Sequence, residues 1–150
     1  MGSQRNEKVQ RDGFPVVVHG LFVTAGRIAL IRRANTGFMD GYYVLPGGHQ
    51  QHGEGITAAL IRECREEVGA EPQDCRPLCV LPYRSGRHQG LNFLFEINTW
   101  LGEVIINEPE LSDDLVWADP DALPEPHAQW IHDVMSLRRS GAWYREMEWD

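Results

Sequence analysis

Glu63, Glu66 and Glu67 stand at i, i+3 and i+4, with Glu54 ahead of them, in Gly48-His-Gln-Gln-His-Gly-Glu-Gly-Ile-Thr-Ala-Ala-Leu-Ile-Arg-Glu-Cys-Arg-Glu-Glu-Val-Gly-Ala70. On a helix this spacing brings the three carboxylates within reach of one another on a single turn, where unpaired they repel. Crowding like charges in a partly desolvated place is relieved by protonation or by a cation, and hard oxygen donors favour Mg²⁺ or Mn²⁺. The chemistry such a group offers is holding a divalent ion against phosphate. The competing reading is a solvated acidic face on which Arg62 and Arg65 pair with neighbouring glutamates.

The element that must present these acids is a helix entered from a glycine-rich loop. Ile56, Ala59, Leu60 and Cys64 recur at helical spacing and Gly69 supplies a stop, which predicts a helix over Ile56–Val68. Stepping ~100° per residue sets Glu63 and Glu67 beside the apolar stripe and turns Arg62 and Arg65 more to the opposite side. Gly47, Gly48, Gly53 and Gly55 let the loop backbone pass close to ions or phosphate.

With Gly48, Glu54, Arg62, Glu63, Glu66, Glu67 and Gly69 at fixed places and Cys64 and Ala70 at two apolar ones, the segment resembles the Nudix box. The flanks extend the likeness. Leu30-Ile-Arg-Arg33, the approach Gly41-Tyr-Tyr-Val-Leu-Pro-Gly-Gly48 and the run Leu115-Val-Trp-Ala-Asp-Pro-Asp-Ala-Leu-Pro124 are similar to strands and turns of MutT-type Nudix hydrolases. One departure is Tyr43, two residues before Leu45, where the family often carries Trp.

The resemblance implies an α/β fold, the Nudix α/β/α sandwich with a mixed β-sheet. It also implies Mg²⁺-dependent (or Mn²⁺-dependent) attack of water on phosphorus in a nucleoside diphosphate linked to a group X, with a (deoxy)nucleoside triphosphate as the leading substrate. In that chemistry bound cations polarise phosphoryl oxygen and lower the pKa of ligated water, while carboxylates fix the ions and accept a proton. Glu63, Glu66 and Glu67 are the expected metal ligands and catalytic acids, with the Gly48 carbonyl as a further ligand and Glu54 orienting the loop or binding through water. Arg62 is expected to fix the carboxylates by charge-assisted hydrogen bonds.

Glu63 is the first general-base candidate. Glu108 and Glu110 in Ile106-Asn-Glu-Pro-Glu-Leu111 are alternative bases or extra ligands, or else solvated loop acids. Strand alternation sends Arg32 and Arg33 to opposite faces, and Arg33 is the one expected to contact phosphate. Tyr43, His88 and Asn92 are candidates for contacts to a base. His49 and His52 read as loop residues, and Trp117 and Trp130 as core. A second functional class stays open, a nucleotide-binding sensor that keeps the fold without turnover. The identity of X also stays open, because loops such as Arg84–Gly90 select it.

The 150 residues are 42% hydrophobic, enough for one domain with a real core. Residues 13–142 are read as the domain, 1–12 as a flexible N-terminal segment and 143–150 as a C-terminal tail, also flexible. A net charge of −8 and a pI near 5.2 argue against duplex nucleic acid and anionic membrane as partners. Cys64, Cys75 and Cys79 form no Cys-x-x-Cys pair and read as reduced thiols. A polar opening segment and the lack of any apolar run near ~20 residues predict a cytoplasmic protein, with a homodimer as the guess for its assembly.

Strands are predicted over Phe14–Val23 and Arg27–Ile31 as a hairpin turning at Thr24-Ala-Gly26, then over Leu78–Pro82, Leu91–Ile97, around Glu103–Ile106, and over Leu115–Ala118. Loops are expected at Ala34–Tyr42 and Arg84–Gly90, and a second helix over His127–Arg138.

Overall fold

The computed structural model describes residues 10–149. Among them the elements run β1 (Val16–Thr24), β2 (Arg27–Arg33), β3 (Tyr43–Val44), β4 (Gly47–His49), α1 (Ile56–Val68), β5 (Glu71–Pro72), β6 (Cys75–Ser85), β7 (His88–Ile97), β8 (Trp100–Leu101), β9 (Ser112–Ala118) and α2 (Trp130–Ser140).

Strand β1 is the axis. Its C-terminal end pairs antiparallel with β2 through Val23↔Ile28 and Thr24↔Arg27. Ala25 and Gly26, both at positive φ (49° and 75°), make the two-residue turn whose twist suits a hairpin. Along its length β1 pairs parallel with β7, whose other edge carries β6 antiparallel, and β4 lies across the N-terminal half of β1. Strands β3 and β9 flank β2, and β5 and β8 form a separate two-stranded ribbon.

The mixed sheet lies between the helices because side chains alternate along β1. On one face a Cβ at Gly20 would stand 2.7 Å from Ile97 Cδ1 and 3.2 Å from Cys64 Sγ, so glycine is what lets α1 approach closely. On the other face the His19 ring lies 4.6 Å from that of Trp130, and Glu96 bonds to Arg138 of α2. Helix α1 buries Ala59, Leu60, Cys64 and Val68, while α2 buries Ile131, Val134, Met135 and Leu137. Cys64 and Cys79 are buried and all three cysteines are free. No helix among the described residues is long and apolar enough to cross a membrane.

Four expectations need correction. Residues 103–106 form no strand. The Ile105 N–H donates to Val68 O (2.9 Å) and the Asn107 N–H to Glu67 O (3.1 Å), so this backbone satisfies carbonyls that the end of α1 leaves open. The expected Arg84–Gly90 loop shrinks to Gly86-Arg87, because β6 and β7 pair out to Ser85↔His88. Helix α2 starts three residues late, since His127 bridges to Tyr43 instead.

The tail docks. The Val80 N–H donates to Trp143 O (2.7 Å) and the Met147 N–H to Pro82 O (2.9 Å), which covers the free edge of β6. Most of the segment predicted to be flexible at the N-terminus, residues 1–9, lies outside the described residues.

Candidate active site

The glycine-rich loop delivers its glycines to the acids of α1. Gly47 and Gly48 pair with His19 and Val18 in the sheet, which carries the loop across the helix. The Gly47 N–H donates to Glu67 Oε1 at 2.9 Å. A Cβ at Gly48 would lie 2.5 Å from both carboxylate oxygens of Glu63, so only glycine leaves that carboxylate its place.

Arg62 gathers the remaining acids. Its Nε donates to Glu54 Oε2 (2.6 Å), Nη1 to Glu63 Oε1 (2.9 Å), and Nη2 to Glu54 Oε1 and the His49 carbonyl (3.0 Å each). Nη1 also reaches Glu66 at 3.3 Å. The helical position of Arg62 suggested the opposite side, but its long side chain curls back to the loop. Its bonds to Glu54 and then to Glu63 keep the guanidinium charged. Glu54, which also accepts from the Gln51 N–H at 3.0 Å, is held below the usual carboxylate range. Arg65 takes no part and pairs with Glu71 at 2.6 Å.

One arginine does not balance the group. Desolvation raises the Glu63 carboxyl despite Arg62, with Glu66 and Glu54 adding repulsion. Burial pushes Glu67 up to about 8, helped by the charges of Glu63 and Glu108 and opposed by the Gly47 N–H and by Arg33. Glu108 is raised too, by burial first and then by Glu66, Glu110 and Glu63. It therefore belongs to the cluster. Glu110 is exposed, and its carbonyl accepts from Asn35 (3.0 Å).

Asn107, which sequence reasoning passed over, holds Glu108 in place. Its Nδ2 donates to the carbonyls of Arg65 (3.2 Å) and Glu66 (3.0 Å). The available signal was an Asn before Glu-Pro, a residue type that bonds to backbone outside regular structure.

Among the described residues no three acid, imidazole or thiol groups converge on one point at ligand distance. The acids are spread over Arg62 and Gly47 instead, as like charges are when their counter-ion is a single guanidinium. The donor chemistry nevertheless fits a hard divalent cation, because Glu63, Glu66, Glu67 and Glu108 offer only carboxylate oxygens, and three of them are raised by burial first and by one another's charge second.

The candidate substrate contacts divide. Arg33 donates from Nε to the Phe38 carbonyl (2.6 Å), and its charge opposes the rise of the Glu67 carboxyl. Arg32 points away to Asp113 (2.7 Å), as alternation requires. Tyr43 does not offer a stacking face. It is 7% exposed, its hydroxyl donates to Asp114 Oδ2 (2.5 Å), and Arg32 covers its ring. Asn92 is turned inward, accepting from His19 Nε2 (3.1 Å) and donating to the Leu81 carbonyl (3.2 Å). His88 is exposed at the tip of the β6–β7 hairpin, away from these contacts. His49, expected in a loop, instead ends β4 through its pairing with Val17, His52 lies in the loop as expected, and both are exposed, while Trp117 and Trp130 pack against the core.

The NUDIX domain model matches residues 13–137 of this chain. The chain belongs to the Nudix family. It is 34% identical over 128 residues to an ADP-ribose pyrophosphatase of Methanocaldococcus jannaschii, covering 80% of this chain and 72% of that protein. It is 32% identical over 127 residues to the NAD-capped RNA hydrolase NudC of Pseudomonas aeruginosa, covering 81% of this chain but only 44% of that one. The chain thus spans less than half the length of that relative. A MutT NUDIX hydrolase from Burkholderia pseudomallei has the same fold, with a TM-score of 0.78 at 26% identity, over 84% of this chain and 98% of that one.

Proposed function

We propose that the chain is a divalent-cation-dependent pyrophosphohydrolase acting on a nucleoside diphosphate linked to X, with a (deoxy)nucleoside triphosphate as the leading substrate. The observation that carries this reading is the gathering of Glu54, Glu63 and Glu66 on Arg62 and of Glu67 on the Gly47 N–H, with the Glu67 carboxyl pushed up to about 8 first by burial and then by the charges of Glu63 and Glu108. A structural acidic face would be neutralised by its own arginines. Here Arg62 is already engaged by three glutamates.

Glu63, Glu66 and Glu67, with the Gly48 carbonyl, would hold Mg²⁺ or Mn²⁺. The ion, when bound, supplies charge neutralisation on the bridging phosphates and acidifies water. Glu54 and Arg62 pin the loop and orient the carboxylates. Glu63 and Glu108 are the two candidates for accepting the proton of the attacking water, and Arg33 would pair with a phosphate oxygen. The named activities of the relatives, on ADP-ribose, on NAD-capped RNA and on an oxidised deoxynucleoside triphosphate, share this phosphate chemistry and leave X open.

A panel of nucleoside triphosphates, nucleotide sugars, ADP-ribose, dinucleoside polyphosphates, oxidised nucleotides and capped RNA, assayed with Mg²⁺ and Mn²⁺ for both orthophosphate and pyrophosphate, tests the proposal. Release from at least one class, lost with EDTA, supports it. Calorimetric binding of a nucleotide with no release from any class would instead identify a sensor.

A further inference from the structure

His127 and His132 bring two metal-competent atoms together, apart from the carboxylates. Their Nε2 atoms lie 2.8 Å apart, with the rings inclined at 64°. His127 Nδ1 lies 2.9 Å from the Pro124 carbonyl, which can only accept, so Nδ1 carries the proton and Nε2 presents its lone pair. The proton between the rings therefore belongs to His132.

His127 is 5% exposed and is locked to β3, because the Tyr43 N–H donates to Pro126 O (2.9 Å) and the Ala128 N–H to Tyr43 O (3.0 Å). His132 lies in the first turn of α2 and is solvent-exposed, so its ring can turn. Nothing in the proposed hydrolysis uses either residue.

We propose that His127 and His132 form a two-imidazole site for a borderline divalent cation such as Zn²⁺, with water completing the coordination. The His132 proton moves from Nε2 to Nδ1 through solvent, so both Nε2 lone pairs face the ion and no net proton is released. Two nitrogens on one tetrahedral zinc, each ~2.0–2.1 Å from it, stand ~3.3 Å apart. The present separation need open by only about half an ångström, within reach of a small rotation of His132. The Nδ1–H bond of His127 to a carbonyl is the outer contact that fixes the tautomer of a ligating imidazole. Imidazole donors favour Zn²⁺, Ni²⁺ and Cu²⁺ over Mg²⁺, so this pair and the carboxylates sort cations by hardness. An ion here ties the loop at Pro124–Ala128 to the start of α2, and with it the bridge that holds Tyr43.

Zinc chloride titrated into the metal-free protein in excess Mg²⁺, followed by calorimetry and by NMR of the imidazole nitrogens, tests the site without recourse to turnover. The expected result is one equivalent of zinc, with the Nε2 signals of His127 and His132 moving and those of His49, His52 and His88 still. His132→Ala, a surface change, weakens uptake at least tenfold, whereas Glu63→Gln leaves it intact. Uptake unchanged in His132→Ala, uptake abolished by Glu63→Gln, or stationary Nε2 signals would each reduce the pair to a plain N–H···N hydrogen bond.

Discussion

Glu96 and Glu67 are both drawn into the protein, and their surroundings treat them in opposite ways. Glu96, 6% exposed, receives Arg138 Nε at 2.6 Å, Arg138 Nη2 at 3.3 Å and Asn98 Nδ2 at 3.1 Å, and its carboxyl is held below the usual range. Glu67 receives one side-chain hydrogen bond, from the Gly47 N–H, and its near charges are mostly other acids. The first carboxylate is supplied by its own chain and fastens β7 to α2. The second is raised by its burial and by neighbouring acids, as the proposed cation-binding role would require before an ion arrives.

Substitution separates the two most sharply. Glu67→Gln preserves an acceptor for Gly47 but removes the charge, and we expect kcat to fall by about three orders of magnitude or more at saturating Mg²⁺. Glu63→Gln should do the same, and full activity in either purified variant would remove these residues from the proposed chemistry. Glu96→Gln should leave kcat within about twofold while lowering unfolding stability by about 2 kcal/mol, measured in urea, because it weakens charge-assisted hydrogen bonds. A reversal, with Glu96 governing turnover and Glu67 governing only stability, would break the comparison.

Arg62→Ala sharpens it further. Arg62 touches the acids and the loop carbonyl of His49, so its loss frees Glu54, Glu63 and Glu66 at once. Partners that orient ligands typically matter by ~10–100-fold, and kcat is expected to drop by that amount with a higher Mg²⁺ requirement. Arg65→Ala, which loses only the exposed pair with Glu71, should change kcat by less than about twofold.

The box helix was legible because two independent signals agree on it. Its apolar period runs from Ile56 to Val68, and Gly69 closes it in the left-handed conformation at φ 68°. The β1–β2 hairpin was legible for the same reason, with β-branched strands around a turn that tolerates positive φ. Where local and tertiary preferences diverge, the reading failed. Val104-Ile-Ile106 has the composition of a strand, yet its backbone lies against the end of α1, and no local pattern reports an unsatisfied carbonyl elsewhere in the chain.

Tyr43 reads as a stacking residue only until Asp114, 71 positions away, claims its hydroxyl. The clustered acids were visible from spacing. That Glu108 joins them and Glu110 does not depends on Asn107 bonding two helix carbonyls, a contact made by the fold.

The smallest effect is the most diagnostic, because it reads the ionisation of buried Glu67 without an assay of activity. A carboxyl raised from about 4.5 to about 8 by folding binds its proton more tightly in the native state than in the unfolded one. Stability is then greatest below the unfolded value and falls as pH rises toward 8, with a slope of up to about 1.4 kcal/mol per pH unit. Glu63 and Glu108, also raised, act in the same direction. His19, buried and lowered to about 4, acts the other way, costing stability as pH falls from 6.5. Glu96, held low, loses its contribution only in acid below the ordinary carboxylate range.

Between pH 6.5 and 8 the slope should therefore report Glu67 most directly. Urea unfolding of the metal-free protein should show stability declining across that interval, and Glu67→Gln should flatten the decline and raise stability at pH 8. Saturating Mg²⁺ should flatten it equally, because an ion at Glu67 holds the carboxylate ionised in the native state. Glu96→Gln should shift the whole profile down and leave its slope alone. A flat profile in the wild-type protein without metal would show that Glu67 is already neutralised from within the chain, and the contrast with Glu96 would vanish.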